Sequence, residues 1–138
     1  MKFLIVICVA FTAVIFANDV SQDKKLPPAV EAKSKSYAEQ CLNEQKLTID
    51  DVAGLKKGDF SNTANNLQCF INCYLQNFGL FVDGVIKEDA IVELLTPILG
   101  EEKLQGVMKK CNSLKGANEC ESAFKLYECY YSQHAATV

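Results

Sequence analysis

Cysteine placement constrains this chain more than any other feature of its sequence. Seven cysteines occur in 138 residues, and one of them, Cys8, lies in an apolar leader. The other six are Cys41, Cys69, Cys73, Cys111, Cys120 and Cys129. An even set of cysteines in a short exported chain predicts a disulfide framework, and an oxidising compartment favours disulfides over metal binding. We therefore expect three disulfide bonds in a small domain and no metal site.

The first residues have the three parts of a secretory signal peptide. Lys2 supplies a positive charge, the stretch from Phe3 to Phe16 carries no charge, and Ala17 is a small residue before a polar segment. The apolar stretch is shorter than the roughly 20 residues that a bilayer span needs. We predict cleavage after Ala17, which makes residues 1–17 a signal peptide and residues 18–138 a single secreted, extracellular domain. A retained membrane anchor is the less favoured alternative.

The charge balance excludes several classes of partner. The basic residues are all lysines, and after loss of Lys2 13 lysines face 17 acidic residues, for a net charge of −4. Phosphate recognition needs clustered cations, preferably the planar fork of arginine. The sequence therefore predicts no nucleic-acid partner and no binding to an anionic membrane surface.

Apolar periodicity and capping signals predict an all-α bundle of about six helices. The expected segments run from Ala29 to about Leu47, from the Thr48 capping box to about Lys57, within Ser61–Val82 with an end at Gly79, from Lys87 to about Leu95, from Glu101 to Cys111, and from Asn118 to about Gln133. Thr96-Pro97 and Gly100 are expected to interrupt the fourth helix, because proline removes a backbone donor. Asp83-Gly84 predicts a tight turn between strands that are short at best.

The intervals between the six cysteines carry a resemblance to a known family. They contain 27, 3, 37, 8 and 8 residues. This spacing resembles that of the insect general odorant-binding proteins, the six-cysteine type of the pheromone-binding and general odorant-binding family, over essentially the whole mature chain. The resemblance implies the pairs Cys41–Cys73, Cys69–Cys120 and Cys111–Cys129. Spacing alone leaves all fifteen pairings open.

The resemblance also implies an apolar cavity inside the bundle. Our candidate ligand-binding residues share the apolar arcs of the third to sixth helices: Phe70, Ile71, Tyr74, Phe78, Leu94, Leu95, Ile98, Leu104, Val107, Met108, Phe124, Tyr127 and Tyr131. Aromatic and methionine side chains suit varied apolar ligands, and tyrosine adds a hydroxyl for a polar head. The alternative is that these arcs form a plain, filled core.

The absence of arginine leaves the class of ligand open. A fatty-acid carboxylate would lack a bidentate partner and would depend on tyrosine hydroxyls, backbone N–H groups or a lysine at the cavity mouth. Neutral alcohols, esters and aldehydes have uncharged heads and need no cationic partner. Fatty acids and neutral volatiles of medium length therefore remain equally favoured.

The C-terminal tail suggests two further hypotheses. His134 is the one histidine of the chain, and its imidazole would titrate near neutral pH, although a solvated tail residue is the simpler interpretation. Residues 135–138 are short for a tail that enters the cavity, but they could cover its mouth as a lid.

The function indicated by these features is reversible transport rather than catalysis. The chain lacks a histidine beside a free nucleophile, so we expect no enzyme activity and no cofactor. The expected protein is a secreted carrier of a small apolar ligand, a volatile or a fatty acid, that serves olfaction or another chemosensory delivery. A chemosensory receptor is a candidate partner, and the expected state is a monomer or a weak homodimer. Two alternatives are a fatty-acid carrier in a non-olfactory secretion and a disulfide-linked interaction protein without a cavity.

Overall fold

Six helices and one short hairpin make up residues 27–133, which are the residues that the computed structural model describes. They are α1 (Pro28–Gln45), α2 (Ile49–Lys56), α3 (Asn65–Asn77), β1 (Phe81–Val82), β2 (Val85–Ile86), α4 (Glu88–Leu99), α5 (Glu101–Cys111) and α6 (Glu119–Ser132). The all-α prediction with about six helices is confirmed. The expected signal peptide, His134 and the lid hypothesis for residues 135–138 fall outside the described residues. Among residues 27–133, no helix is both long enough and apolar enough to cross a bilayer.

Two of the helix starts, those of α2 and α6, follow from local side-chain chemistry. At α2, the Thr48 backbone N–H donates to the Asp51 carboxylate at 2.7 Å and the Asp51 N–H donates back to the Thr48 hydroxyl, which completes the expected capping box. At α6, the Asn118 side-chain oxygen accepts from the Glu121 N–H at 2.9 Å. These caps fix the start of each helix by satisfying backbone donors that have no partner within the helix.

The fourth helix corrects one sequence prediction. Thr96-Pro97 does not interrupt α4, which continues to Leu99 with Pro97 inside it. Pro97 is exposed and lies in the last turn, so little helix follows the backbone donor that it lacks. The break falls at Gly100, whose φ of 87° ends α4 and leads directly into α5. As a result α4 presents three full turns to the interior of the bundle.

The central helix α3 organises the core. It packs most extensively against α6 and next against α1. Cys69 and Cys73 lie one turn apart on α3, and they form disulfides with Cys120 of α6 and Cys41 of α1. The third disulfide, Cys111–Cys129, joins α5 to α6. These are the pairs that the family resemblance implies, and they fix α1 and α6 to α3.

The hairpin between α3 and α4 is as short as the sequence indicates. Phe81 pairs with Ile86 and Val82 pairs with Val85, each strand being two residues long. Asp83 and Gly84 both have positive φ, 53° and 79°, as a two-residue turn of this hand requires. The hairpin reverses the chain and places the start of α4 beside the end of α3.

A glycine after α2 is predicted to resist substitution more than one after α3. Gly58 has φ of 82°, and a Cβ built there would lie 2.8 Å from Cε1 of Tyr131, whereas Gly79 has φ of 73° with open space around it. We expect Gly79→Ala to cost about 1 kcal/mol from backbone strain alone. Gly58→Ala should cost about 1 kcal/mol more, because Tyr131 must also move. Urea unfolding of both variants measures the difference, and equal costs would contradict the close approach of Tyr131.

Candidate functional site

Most of the candidate ligand-binding residues meet in one apolar cluster. Seven of them are buried: Phe70, Ile71, Tyr74, Leu104, Val107, Phe124 and Tyr127. Four are half-buried and pack against the buried ones: Phe78, Leu95, Met108 and Tyr131. Leu94 and Ile98 are half-buried on α4 but lie outside this cluster. The structure thus brings eleven of the thirteen together. That they enclose a ligand cavity stays a prediction.

Phe60 packs against three of the candidate residues and was missed by the sequence reasoning. Its ring centroid lies 5.7 Å from that of Phe124, 6.0 Å from Tyr127 and 5.6 Å from Tyr131. It comes from the irregular segment between α2 and α3, where helical periodicity gives no guidance. The local sequence offered no signal for this packing, since an aromatic residue in a polar loop can equally well remain exposed.

A second aromatic group follows the inner side of α3. Phe70 and Tyr74 stack with centroids 6.2 Å apart, and Tyr74 meets Phe78 edge-on at 5.3 Å. The Tyr74 hydroxyl is hydrogen-bonded to the hydroxyl of Ser34, a buried residue of α1, at 2.5 Å. Ser34 was also missed, because a serine in a helix carries no sequence signal for a buried hydrogen bond.

The hydroxyl of Tyr127 is a buried polar atom without a hydrogen-bond partner among the described residues. Its neighbours differ in this respect: Tyr74 bonds to Ser34, Tyr130 donates to the Asn112 side chain at 2.7 Å, and Tyr131 donates to the backbone carbonyl of Lys56 at 2.9 Å. Buried polar groups normally have partners, so the Tyr127 hydroxyl is an exception that requires an explanation.

Burial holds Tyr127 in its neutral form. Removal from solvent raises the pKa of Tyr127 well above its usual value, and the nearby hydroxyls of Tyr74 and Tyr131 raise that pKa further. Burial also raises the pKa of Tyr74, partly offset by the bond to Ser34. Tyr127 therefore keeps its proton at every physiological pH, and its hydroxyl can both donate and accept.

The inner face of α4 is apolar but incompletely covered. Only Ile91 is buried on this helix, while Leu94, Leu95, Ile98 and Leu99 are half-buried. The helix also holds the second unpaired buried polar atom of the described residues, the hydroxyl oxygen of Thr96. In a filled core the apolar face of a helix is buried. An apolar face that is only partly covered over three turns is what we expect of a helix that forms one wall of an accessible pocket.

A separate surface groove is polar and does not correspond to the expected site. It has a volume of about 320 Å³, lies beside two disulfides, and is lined by Glu44, Gln45, Cys69, Asn72, Cys73, Gln76, Asn77 and Cys120. A Glu44 carboxylate oxygen lies 3.0 Å from the Cys73 sulfur, and the Cys41 sulfur lies within 4.8 Å of a Glu44 carboxylate oxygen. Because Cys41 and Cys73 are bonded to each other, neither offers a thiolate to a metal ion.

The unpaired hydroxyl leads to a paired prediction on stability. Tyr127→Phe should leave the free energy of unfolding unchanged or raise it by up to about 1 kcal/mol, because it removes a buried polar atom that has no partner. Tyr130→Phe, the same change one turn along α6, should lower it by about 1–2 kcal/mol, because it breaks the bond to Asn112. Chemical denaturation of the ligand-free proteins measures both. A loss at Tyr127 as large as that at Tyr130 would mean that Tyr127 is bonded in the free protein.

Fold and site together define a class of protein: a small helical binding domain whose disulfides hold its helices around an apolar interior containing buried tyrosines. A profile of the PBP/GOBP family matches residues 23–133. The chain belongs to this family, the odorant-binding proteins, whose members bind small hydrophobic ligands and are binding proteins rather than enzymes.

Individual relatives agree with this placement. General odorant-binding protein 56a of Drosophila melanogaster is 35% identical over 124 residues, which span 90% of this chain and 89% of that protein. The structure titled "Fatty acid binding protein OBP56a from the oral disk of the blowfly Phormia regina" is 31% identical, with a TM-score of 0.68, and the match covers 79% of this chain and 95% of that one. Odorant binding protein 5 of Apis mellifera, 24% identical with a TM-score of 0.67 over 76% of this chain and 88% of that one, shares the fold.

Proposed function

We propose that this protein is a secreted carrier that reversibly binds one small amphiphilic molecule inside the bundle and solubilises it for chemosensory delivery. The observation that carries the proposal is the Tyr127 hydroxyl, buried without a partner among the described residues and surrounded by apolar and aromatic side chains. A ligand with an apolar chain and one polar head would fill the apolar space and satisfy this hydroxyl. Export after removal of residues 1–17 belongs to the same proposal.

The energetics of such a ligand are favourable. Each methylene removed from water contributes about 0.8 kcal/mol, so a ten-carbon chain supplies roughly 8 kcal/mol. Immobilising the ligand costs several kcal/mol of binding free energy, whereas a single hydrogen bond from Tyr127 contributes about 1 kcal/mol. A modest net affinity that rises with chain length follows, together with rapid exchange, which suits a carrier that has to release its ligand.

The named relatives support two classes of ligand. Two of them are called odorant-binding proteins, and the blowfly relative is described by its title as a fatty-acid-binding protein of the oral disk. Volatile odorants and fatty acids both combine an apolar chain with one polar head. An olfactory carrier and a carrier in a feeding secretion would use the same site, and the tissue that expresses the protein separates the two.

Displacement of a fluorescent apolar probe tests the proposal directly. Oxidised, folded protein should take up the probe saturably, and alcohols, esters and fatty acids with about 8 to 18 carbons should displace it at micromolar concentrations. Absence of uptake by protein with three intact disulfides would mean a filled core. The alternative, a disulfide-linked interaction protein without a ligand cavity, would then be favoured.

Two tryptophan variants of α4 locate the site. The chain has no tryptophan, so each variant also carries its own fluorescent reporter. Leu95→Trp adds bulk at a half-buried position that packs against the core, whereas Val92→Trp, its matched control, adds it at an exposed position of the same helix. We expect Leu95→Trp to weaken probe binding about tenfold or more, equivalent to about 1.4 kcal/mol, and Val92→Trp to change it little. Equal affinities would place the site away from α4.

A further inference from the structure

The distribution of charge around the buried tyrosines restricts which polar heads the interior can accept. Every lysine that the structure describes is exposed, and so is every described aspartate and glutamate except Glu121. Glu121 is half-buried at the start of α6, where its carboxylate accepts from the Ala117 backbone N–H. The sequence contains no arginine. The described interior therefore offers no cation to a charged ligand head.

The elements packed around Tyr127 add only neutral groups. Helix α3 has no charged residue and contributes Tyr74, whose hydroxyl is bonded to Ser34 of α1. The segment before α3 contributes the ring of Phe60, and its charged residues, Lys57 and Asp59, are exposed.

On α6 itself, Tyr131 is bonded to the backbone of Lys56, and Lys125 and Glu128 are exposed. The charged side chains of α4 and α5, from Lys87 to Lys110, are all exposed as well. Among residues 27–133, the titratable groups that face the Tyr127 hydroxyl are thus the hydroxyls of Tyr74 and Tyr131.

We propose that the interior site selects ligands with an uncharged polar head, and that it binds carboxylic acids as the neutral acid rather than as the carboxylate. The inference rests on the proposed function and specifies its ligand class. A carboxylate moved into this interior would lose its hydration and gain only neutral hydroxyl groups as partners, which does not compensate for the loss. A neutral carboxyl group, an alcohol or an aldehyde loses far less and can form the same hydrogen bond with Tyr127.

This selectivity sets the direction of the pH dependence. Binding that prefers the neutral acid raises the pKa of the bound carboxyl group above its free value of about 4.3. The affinity for the acid is then at its maximum below the pKa of the free ligand. It falls by nearly tenfold per pH unit above that value, until the pKa of the bound ligand is reached. Acidification would therefore tighten the binding of a fatty acid, while the binding of a neutral ligand would not respond.

Decanoic acid and decanol provide the test, since they share a chain length and differ in the head. Competition with a fluorescent probe is measured between about pH 5.5 and pH 8 for both ligands on the full mature protein. We expect decanol to bind equally across this range and decanoic acid to weaken by about a hundredfold. With carboxyl-labelled ¹³C decanoic acid, NMR should show a bound pKa more than about three units above the free value, as the hundredfold change in affinity requires.

The outcomes separate the two proposals. Failure of decanol to displace the probe at any pH would overturn the proposed function itself. Decanol binding together with decanoic acid binding equally at pH 5.5 and pH 8 would leave the carrier function intact and overturn the inference. In that case the carboxylate is held by a cation at the mouth, and the affinity for decanoic acid would fall with added salt.

A pair of variants tests the role of the Tyr127 hydroxyl. Tyr127→Phe should weaken decanol and neutral decanoic acid by about two- to tenfold while leaving decane, which has no head, unaffected. Tyr130→Phe, its control on the same helix, should leave the affinity of all three ligands unchanged while the protein stays folded. Equal losses for decane and decanol in Tyr127→Phe would indicate a packing role and contradict the head-group contact.

Discussion

Loss of the Cys69–Cys120 disulfide, through the double variant Cys69→Ala and Cys120→Ala, is expected to lower the free energy of unfolding by about 4 kcal/mol. The bond closes a loop with a sequence separation of 51, the longest of the three, so it restricts the unfolded chain most. It also connects α3 to α6, the two helices with the most extensive mutual packing. Guanidinium unfolding of the oxidised variant, followed by circular dichroism, gives the change.

The Cys111–Cys129 disulfide provides the matched control. Its sequence separation is 18, and the same double substitution to alanine should cost about 3 kcal/mol on chain entropy alone. The result to compare is therefore which of the two variants loses more free energy of unfolding. If the shorter loop proved the more costly one, the stabilisation would come from packing at the α5–α6 junction rather than from restriction of the unfolded chain.

Truncation of Phe70 is expected to cost about 3–5 kcal/mol, because it deletes a whole ring from the centre of the core. Phe70 is fully buried on α3 and stacks on Tyr74. The measurement is the denaturation midpoint and slope of Phe70→Ala in the ligand-free protein.

Phe78→Ala is the control for this variant, since it makes the same change near the end of the same helix. Phe78 is half-buried and lies at the edge of the aromatic group, with its ring centroid 4.8 Å from that of Tyr37. We expect Phe78→Ala to lower the free energy of unfolding by about half as much as Phe70→Ala, because folding buries less apolar area of the Phe78 side chain. Equal costs would show that the core extends further along α3 than the burial indicates.

Features that depend on neighbours in sequence could be predicted without the structure. The Thr48–Asp51 capping box, the Asn118 cap and the turn at Asp83-Gly84 occur as expected, because each is decided by hydrogen bonds or backbone angles within about four residues. The cysteine intervals likewise indicated the family. Much of the candidate site followed from periodicity, since an apolar arc on a helix has to face the interior.

Features that depend on distant partners could not be predicted in this way. Pro97 was expected to break α4, but position within the helix decides its effect, and the break falls at Gly100. Phe60 joins the candidate residues only because the packing brings its loop against three aromatic rings of α6. Nothing in the local sequence distinguishes such a loop residue from one that faces solvent.

The sequence by itself determined the helical class, the family and the apolar arcs, because these are properties of spacing along the chain. Only the tertiary structure decided which tyrosine hydroxyls find partners. Tyr74, Tyr130 and Tyr131 each reach an acceptor or donor far away in sequence, whereas Tyr127 is buried without one among the described residues. The physical reason is that satisfaction of a buried polar atom depends on which atoms surround it in space, and this surrounding is fixed only when the helices pack.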